Sequence, residues 1–94
     1  MTFKETLDKA REVGINAIDL DIATEVSSNI EEEITDEKFN QICNLTREAY
    51  LKSEYIEVWA IVKAILDMVD GDIAKTDITS ISKWDVLDKA SYYS

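Results

Sequence analysis

The chain has 94 residues, with 20 Asp and Glu against 10 Lys and Arg, no His, no Pro, two Gly and a single Cys, for a net charge of −10. Without histidine it has no Ser-His-Asp or Cys-His pairing, few routes to a zinc site, and not the commonest general base near neutral pH. The lone Cys43 forms no internal disulfide, and the longest apolar run, Val58 to Val62, is far shorter than the roughly 18 residues that cross a membrane.

An apolar content of 46% argues for a folded chain in spite of the charge, and the length fits one domain over residues 1–94. The start, MTFKETLDKAREV, is amphipathic and charged, unlike a secretory signal, so a cytoplasmic, reduced protein is expected. With no proline and two glycines, long regular elements are expected.

Thr2-Phe3-Lys4-Glu5 reads as a capping box, and Phe3, Leu7 and Ala10 share one face, which predicts a helix over about 3–13 that Gly14 ends. Asn16 reads as the cap of a second helix, with Ile15 and Leu20 as a hydrophobic staple. The fragment IDLDI alternates like a strand for five residues. Ile18, Ile22, Val26 and Ile30, however, recur at helical spacing over a longer stretch, which predicts helix.

Thr35 is placed to cap a third helix, with Ile34 stapled to Phe39 and an inner face of Phe39, Ile42, Cys43, Thr46, Ala49 and Tyr50. Ser53 is expected to open a fourth helix over 54–70, ending at Gly71. Tyr55, Val58, Trp59, Ile61, Val62, Ile65, Leu66, Met68 and Val69 cover about half its circumference, which predicts the central post of the bundle. Ile56, Ala60 and Ala64 fall on its other side, beside a narrow polar strip of Lys63, Asp67 and Asp70. After a linking segment, DIAKTDITSI, Ser82 reads as the cap of a last helix from Lys83 to about Tyr92, with an Ile81–Val86 staple. The expected fold is all-α, a compact single-domain bundle of about five helices.

The charge is not spread evenly. Between Glu12 and Glu37 lie nine acids and no base, so nearly the whole excess sits in this stretch. Solubility accounts for the sign of a net charge but not for its segregation. Asp21 and Glu25 stand at i, i+4, a like-charge pairing that costs a helix about 0.2–0.5 kcal/mol. Glu31, Glu32 and Glu33 follow at its C-terminal end, against the macrodipole. Asp21, Glu25, Ser28, Glu31, Glu32, Glu33, Asp36 and Glu37 are therefore the candidate partner-binding residues, a row that suits the Lys/Arg surface of a protein that otherwise meets phosphates. Direct binding to DNA or RNA is disfavoured, because every Lys and Arg has an acid within four residues and no basic stripe exists. In composition the chain resembles small acidic inhibitors of nucleic-acid enzymes, such as phage anti-restriction and anti-CRISPR proteins. That resemblance implies a nucleic-acid mimic from a phage or mobile element.

The remaining candidates yield less. Asp67, Asp70, Asp72 and Asp77 surround Gly71, but an EF-hand register places Leu66 and Met68 at ligand positions, so no metal site is predicted, and Asp72 reads as an N-cap. Cys43 faces inward without an activating base, Trp59 and Trp84 read as core or oligomer interface, and nothing singles out a catalytic carboxylate pair. The expectation is a non-enzymatic module without cofactor that binds a basic protein and does not bind membrane. The alternative is a self-associating structural or assembly protein, a homodimer built on the Ile56/Ala60/Ala64 side.

Overall fold

A computed structural model describes residues 17–30, 33–53, 56–70 and 72–93, with side chains from Leu20 onward. The expected helix over 3–13, its Thr2 cap, the Gly14 stop and the Asn16 cap lie outside these residues, as do Tyr55 and Gly71.

Where IDLDI permits strand or helix, the chain is helical: α1 runs Ala17–Asn29 and buries Ile22, Ala23 and Val26, with Ile30 half-buried beyond its end. The four-residue recurrence places these side chains on one stripe, which a strand would split between two faces.

Thr35 then caps α2, Asp36–Lys52. Its backbone is extended, its hydroxyl accepts from the Lys38 N–H at 3.1 Å, and its carbonyl accepts from Phe39 at 3.0 Å. Asp36 and Glu37 occupy the first turn and Lys52 the last, the arrangement the helix dipole favours. The inner face is Phe39, Ile42, Cys43, Thr46 and Ala49 as expected, with Tyr50 half-buried, and Leu45 joins it.

Ser53 does not open the next helix. Its N–H donates to the carbonyls of Ala49 and Tyr50, at 3.0 and 3.2 Å, and its hydroxyl donates to Tyr50 at 2.9 Å. It thus satisfies carbonyls that the end of α2 leaves without helical partners. The next helix, α3, spans Val58–Val69, shorter than the expected 54–70, with Glu57 as its extended N-cap.

Ala60, Ile61, Val62, Ala64, Ile65 and Val69 of α3 are buried, whereas Trp59 is 41% and Met68 36% exposed. At 100° per residue, Trp59, Lys63, Asp67 and Asp70 fall within roughly 80° of one another. Trp59 therefore belongs to the polar strip, and its indole N–H donates to the Glu57 carboxylate. Ala60 and Ala64 belong to the core, so they do not present a surface to a second copy.

The helix ends on Asp70, whose left-handed backbone (φ 51°, ψ 44°) makes the C-cap. Asp is among the few non-glycine residues that occupy this region with any ease.

The linking segment is a structured layer. Its turn is closed through the backbone carbonyl of Asp72, which accepts from the Thr76 N–H at 3.2 Å and from the Thr76 hydroxyl at 2.7 Å. The side-chain cap expected of Asp72 comes instead from Asp77, which opens a 3₁₀ turn, Ile78–Ser80. Ile73 and Ile78 are buried with the helices. Finally Ser82 caps α4, Lys83–Ala90, accepting from the Trp84 N–H at 3.2 Å. Its Val86 and Ala90 are buried, with Ile81 half-buried beside the core.

The described chain is all-α: four α-helices and one 3₁₀ turn, without a strand, rather than about five helices. Its Cα radius of gyration is 12.5 Å, close to the roughly 12 Å of a compact chain this long. α3 packs against α1, α2 and α4. So does α2 against the other three, and it also meets the 3₁₀ turn, so two helices share the middle of the bundle.

Candidate functional site

The acidic row rests on α1 and the start of α2. Ile22, Ala23 and Val26 fasten α1 to α2 and α3, which turns Asp21 and Ser28 to solvent and leaves Glu25 half-buried at the margin. The polar side chains of α1 bond along their own helix. The Thr24 hydroxyl donates to the Leu20 carbonyl and the Ser28 hydroxyl to the Thr24 carbonyl, each at 2.8 Å. The Asn29 amide donates to the Glu25 carbonyl at 2.7 Å and to the Glu25 carboxylate at 3.3 Å. No base stands in the last turn of α1 to balance its dipole.

Glu33 is exposed in the connection to α2, and Asp36 and Glu37 are exposed in the first turn of α2. Glu31 and Glu32 lie outside the described residues. Asp21, Glu25, Ser28, Glu33, Asp36 and Glu37 thus occur along one helix, the following connection and the next helix start. Lys38, the base that closes the acidic stretch, donates to the Thr76 carbonyl and helps stabilise the Asp77 carboxylate. Chemically the row offers carboxylate acceptors for guanidinium and ammonium groups, and it repels phosphate.

The second carboxylate group is divided among separate tasks. Asp67 accepts from the Tyr93 hydroxyl, Asp70 forms the left-handed cap, and Asp77 Oδ1 accepts from the Thr79 hydroxyl at 2.6 Å and N–H at 3.1 Å. The Thr79 hydroxyl bond above all holds the Asp77 carboxyl below the ordinary carboxylate range, against some desolvation. Among the described residues, no three His, Cys, Asp or Glu side chains converge to hold a metal ion. Cys43 is wholly buried within the core.

Trp84 is 60% exposed, so like Trp59 it is not the core residue that its size suggests, and Tyr92, near the end of the chain, is 81% exposed. A shallow groove of about 220 Å³ lies between α2 and the 3₁₀ turn, lined by Gln41, Asn44, Leu45, Glu48, Ile78, Thr79 and Ile81. Its sequence signal is the spacing 41, 44, 45, 48 on one helical face together with the Ile78/Ile81 pair.

Among the described residues, no helix is long and apolar enough to cross a membrane. The chain matches no protein-family model, no curated protein and no solved structure.

Proposed function

We propose that this chain is a single acidic, non-enzymatic, cytoplasmic module that binds a protein partner through the acidic row of α1 and the start of α2. The partner offers a basic surface of the kind that a nucleic-acid-binding enzyme presents to phosphates, so the module acts as an inhibitor or regulator by mimicking nucleic acid. The observation that carries this reading is the segregation of charge: nine acids without a base from Glu12 to Glu37, with Asp21, Glu33, Asp36 and Glu37 exposed. In this reading α3, beside α2 in the middle of the bundle, is a post on which the module is assembled, supported by the burial of Ala60, Ile61, Val62, Ala64 and Ile65.

The test replaces Asp21, Glu25 and Glu33 by Lys and compares capture of basic proteins from the native host's lysate with that by a Glu48, Asp85 and Asp88 to Lys control. All three control positions are exposed and lie outside the row. A specific partner is retained by wild type and control, lost by the row variant, and released by salt, since charge steering is screened beyond about 8–10 Å at physiological ionic strength. Equal loss by both variants would leave only net charge at work. Retention by both would mean apolar contacts hold the partner.

A second reading, self-association as a structural or assembly protein, now rests on different residues. The exposed Trp59, Trp84 and Tyr92 favour it, not Ala60 and Ala64. It predicts a homodimer that survives high salt and that Trp84→Ser dissociates in sedimentation.

A further inference from the structure

α4 is the shortest of the described helices. It has eight residues and two buried side chains, Val86 and Ala90, against three among the described side chains of α1 and six each in α2 and α3. A helix this short does not persist alone in water, so its presence depends on what holds it to the bundle.

Beyond Ala90 the chain continues through another turn. The N–H groups of Ser91, Tyr92 and Tyr93 donate to the carbonyls of Leu87, Lys89 and Ala90 at 3.0, 3.1 and 3.0 Å. This turn brings Tyr93 onto α3. There its hydroxyl donates to the Asp67 carboxylate, the Lys63 Nζ lies 4.8 Å from its ring centroid, and the half-buried ring packs against the core. Lys63 and Asp67 are one turn apart on α3, so a single side chain engages two successive positions of the helix that α4 packs against.

We infer that Tyr93 is a clasp between α4 and α3, and that α4 with its following turn is a detachable unit whose docking this clasp governs. Opening the clasp uncovers Val86, Ala90 and the parts of α2 and α3 that they cover, while α1, α2 and α3 retain their mutual contacts. Elements with few buried contacts open at lower free energy than the whole molecule, and the clasp sets where α4 stands on that scale. The donor is available throughout the neutral range: its bond to Asp67, then desolvation, raises the Tyr93 pKa above its ordinary value. The ring adds a contact with Lys63 that does not need the hydroxyl.

Native-state hydrogen exchange on the full chain at neutral pH tests this. In the wild type, amides of Lys83–Ala90 should exchange faster than those of Ile42–Ala49, through an opening that leaves α2 protected. Tyr93→Phe, which keeps the ring over Lys63, and Asp67→Asn should each accelerate the α4 amides by about fivefold or more, with the slowest α2 amides following only any change in global stability. The double variant should add little to either single change, because both remove the same bond. Exchange of α4 only through global unfolding would overturn the detachable unit. An unchanged α4 in both single variants, or effects that simply add, would overturn the clasp.

Discussion

The hydroxyl of Thr46 donates a 2.8 Å hydrogen bond to the carbonyl of Ile42, one turn earlier on α2, in a core where every other fully described buried side chain is apolar or Cys43. That carbonyl lies within α2, where the helical ladder also supplies a backbone partner, so removing the hydroxyl strands no buried group. Thr46→Val keeps the shape and the β-branch, and should leave stability unchanged or raise it by up to about 1 kcal/mol. Urea melts of the two proteins measure this. A loss above that size would mean that the hydroxyl has a further role in the core.

The two faces of α3 should respond oppositely to truncation. Ile65 is wholly buried, so Ile65→Ala should cost about 2–5 kcal/mol, a large share of the roughly 5–15 kcal/mol that holds a domain together. Trp59 is the larger side chain but lies on the polar strip, so Trp59→Ala should cost less than half as much in the same thermal melts. Equal losses would place the indole inside the packed core.

Asp70 is the one non-glycine residue at positive φ among those described, and it also puts a negative charge at the C-terminal end of α3. Both are unfavourable. Asp70→Gly should therefore stabilise the fold by about 0.5–1 kcal/mol, with the greater freedom of glycine in the unfolded chain offsetting part of the gain. Asp70→Asn isolates the charge, and Asp70→Ala, which suits the left-handed region poorly, should destabilise. Thermal midpoints in this order, Gly above Asn above Ala, check both components.

Acid should weaken the 3₁₀ turn through Asp77. Its carboxyl is held below the ordinary aspartate value by the Thr79 hydroxyl first. Its contribution is thus fully present above that value and is lost as pH falls through the lower folded one. Asp77→Asn keeps an acceptor for the Thr79 N–H but does not titrate. The variant should lose less of its thermal midpoint than wild type between pH 5 and 2. Parallel decline of the two would show that other carboxylates govern the acid limb.

Much of this fold was legible because its signals are local. The Thr35 and Ser82 caps and the inner face of α2 follow from hydroxyl and apolar side chains spaced within a few residues of one another. Sequence pattern and structure part where one local pattern permits two outcomes. Ser53 can serve the start of one helix or the end of another, and the carbonyls of Ala49 and Tyr50 claimed it. Trp59 is apolar by composition, yet the angle it shares with Lys63 and Asp67 keeps it at the surface. The candidate site was legible as charge, since a run of acids without bases is a property of order along the chain. How it is presented depends on Ile22 and Val26, whose burial against the neighbouring helices aims the opposite side of α1 at solvent.

The amino-acid sequence by itself determined the helical class, the Thr35 and Ser82 caps and the placement of excess charge, because hydrogen bonding within a turn and the 3.6-residue repeat act between near neighbours. Tertiary structure decided which part of each apolar arc became core, drawing in Ala60, Ala64, Ile73 and Ile78 and leaving Trp59 and Trp84 outside. It also brought Tyr93 to Lys63 and Asp67. Close packing explains the division: small side chains let helices approach, and a bulky indole fits only where the facing surface leaves room. No spacing within one helix encodes the shape of that facing surface.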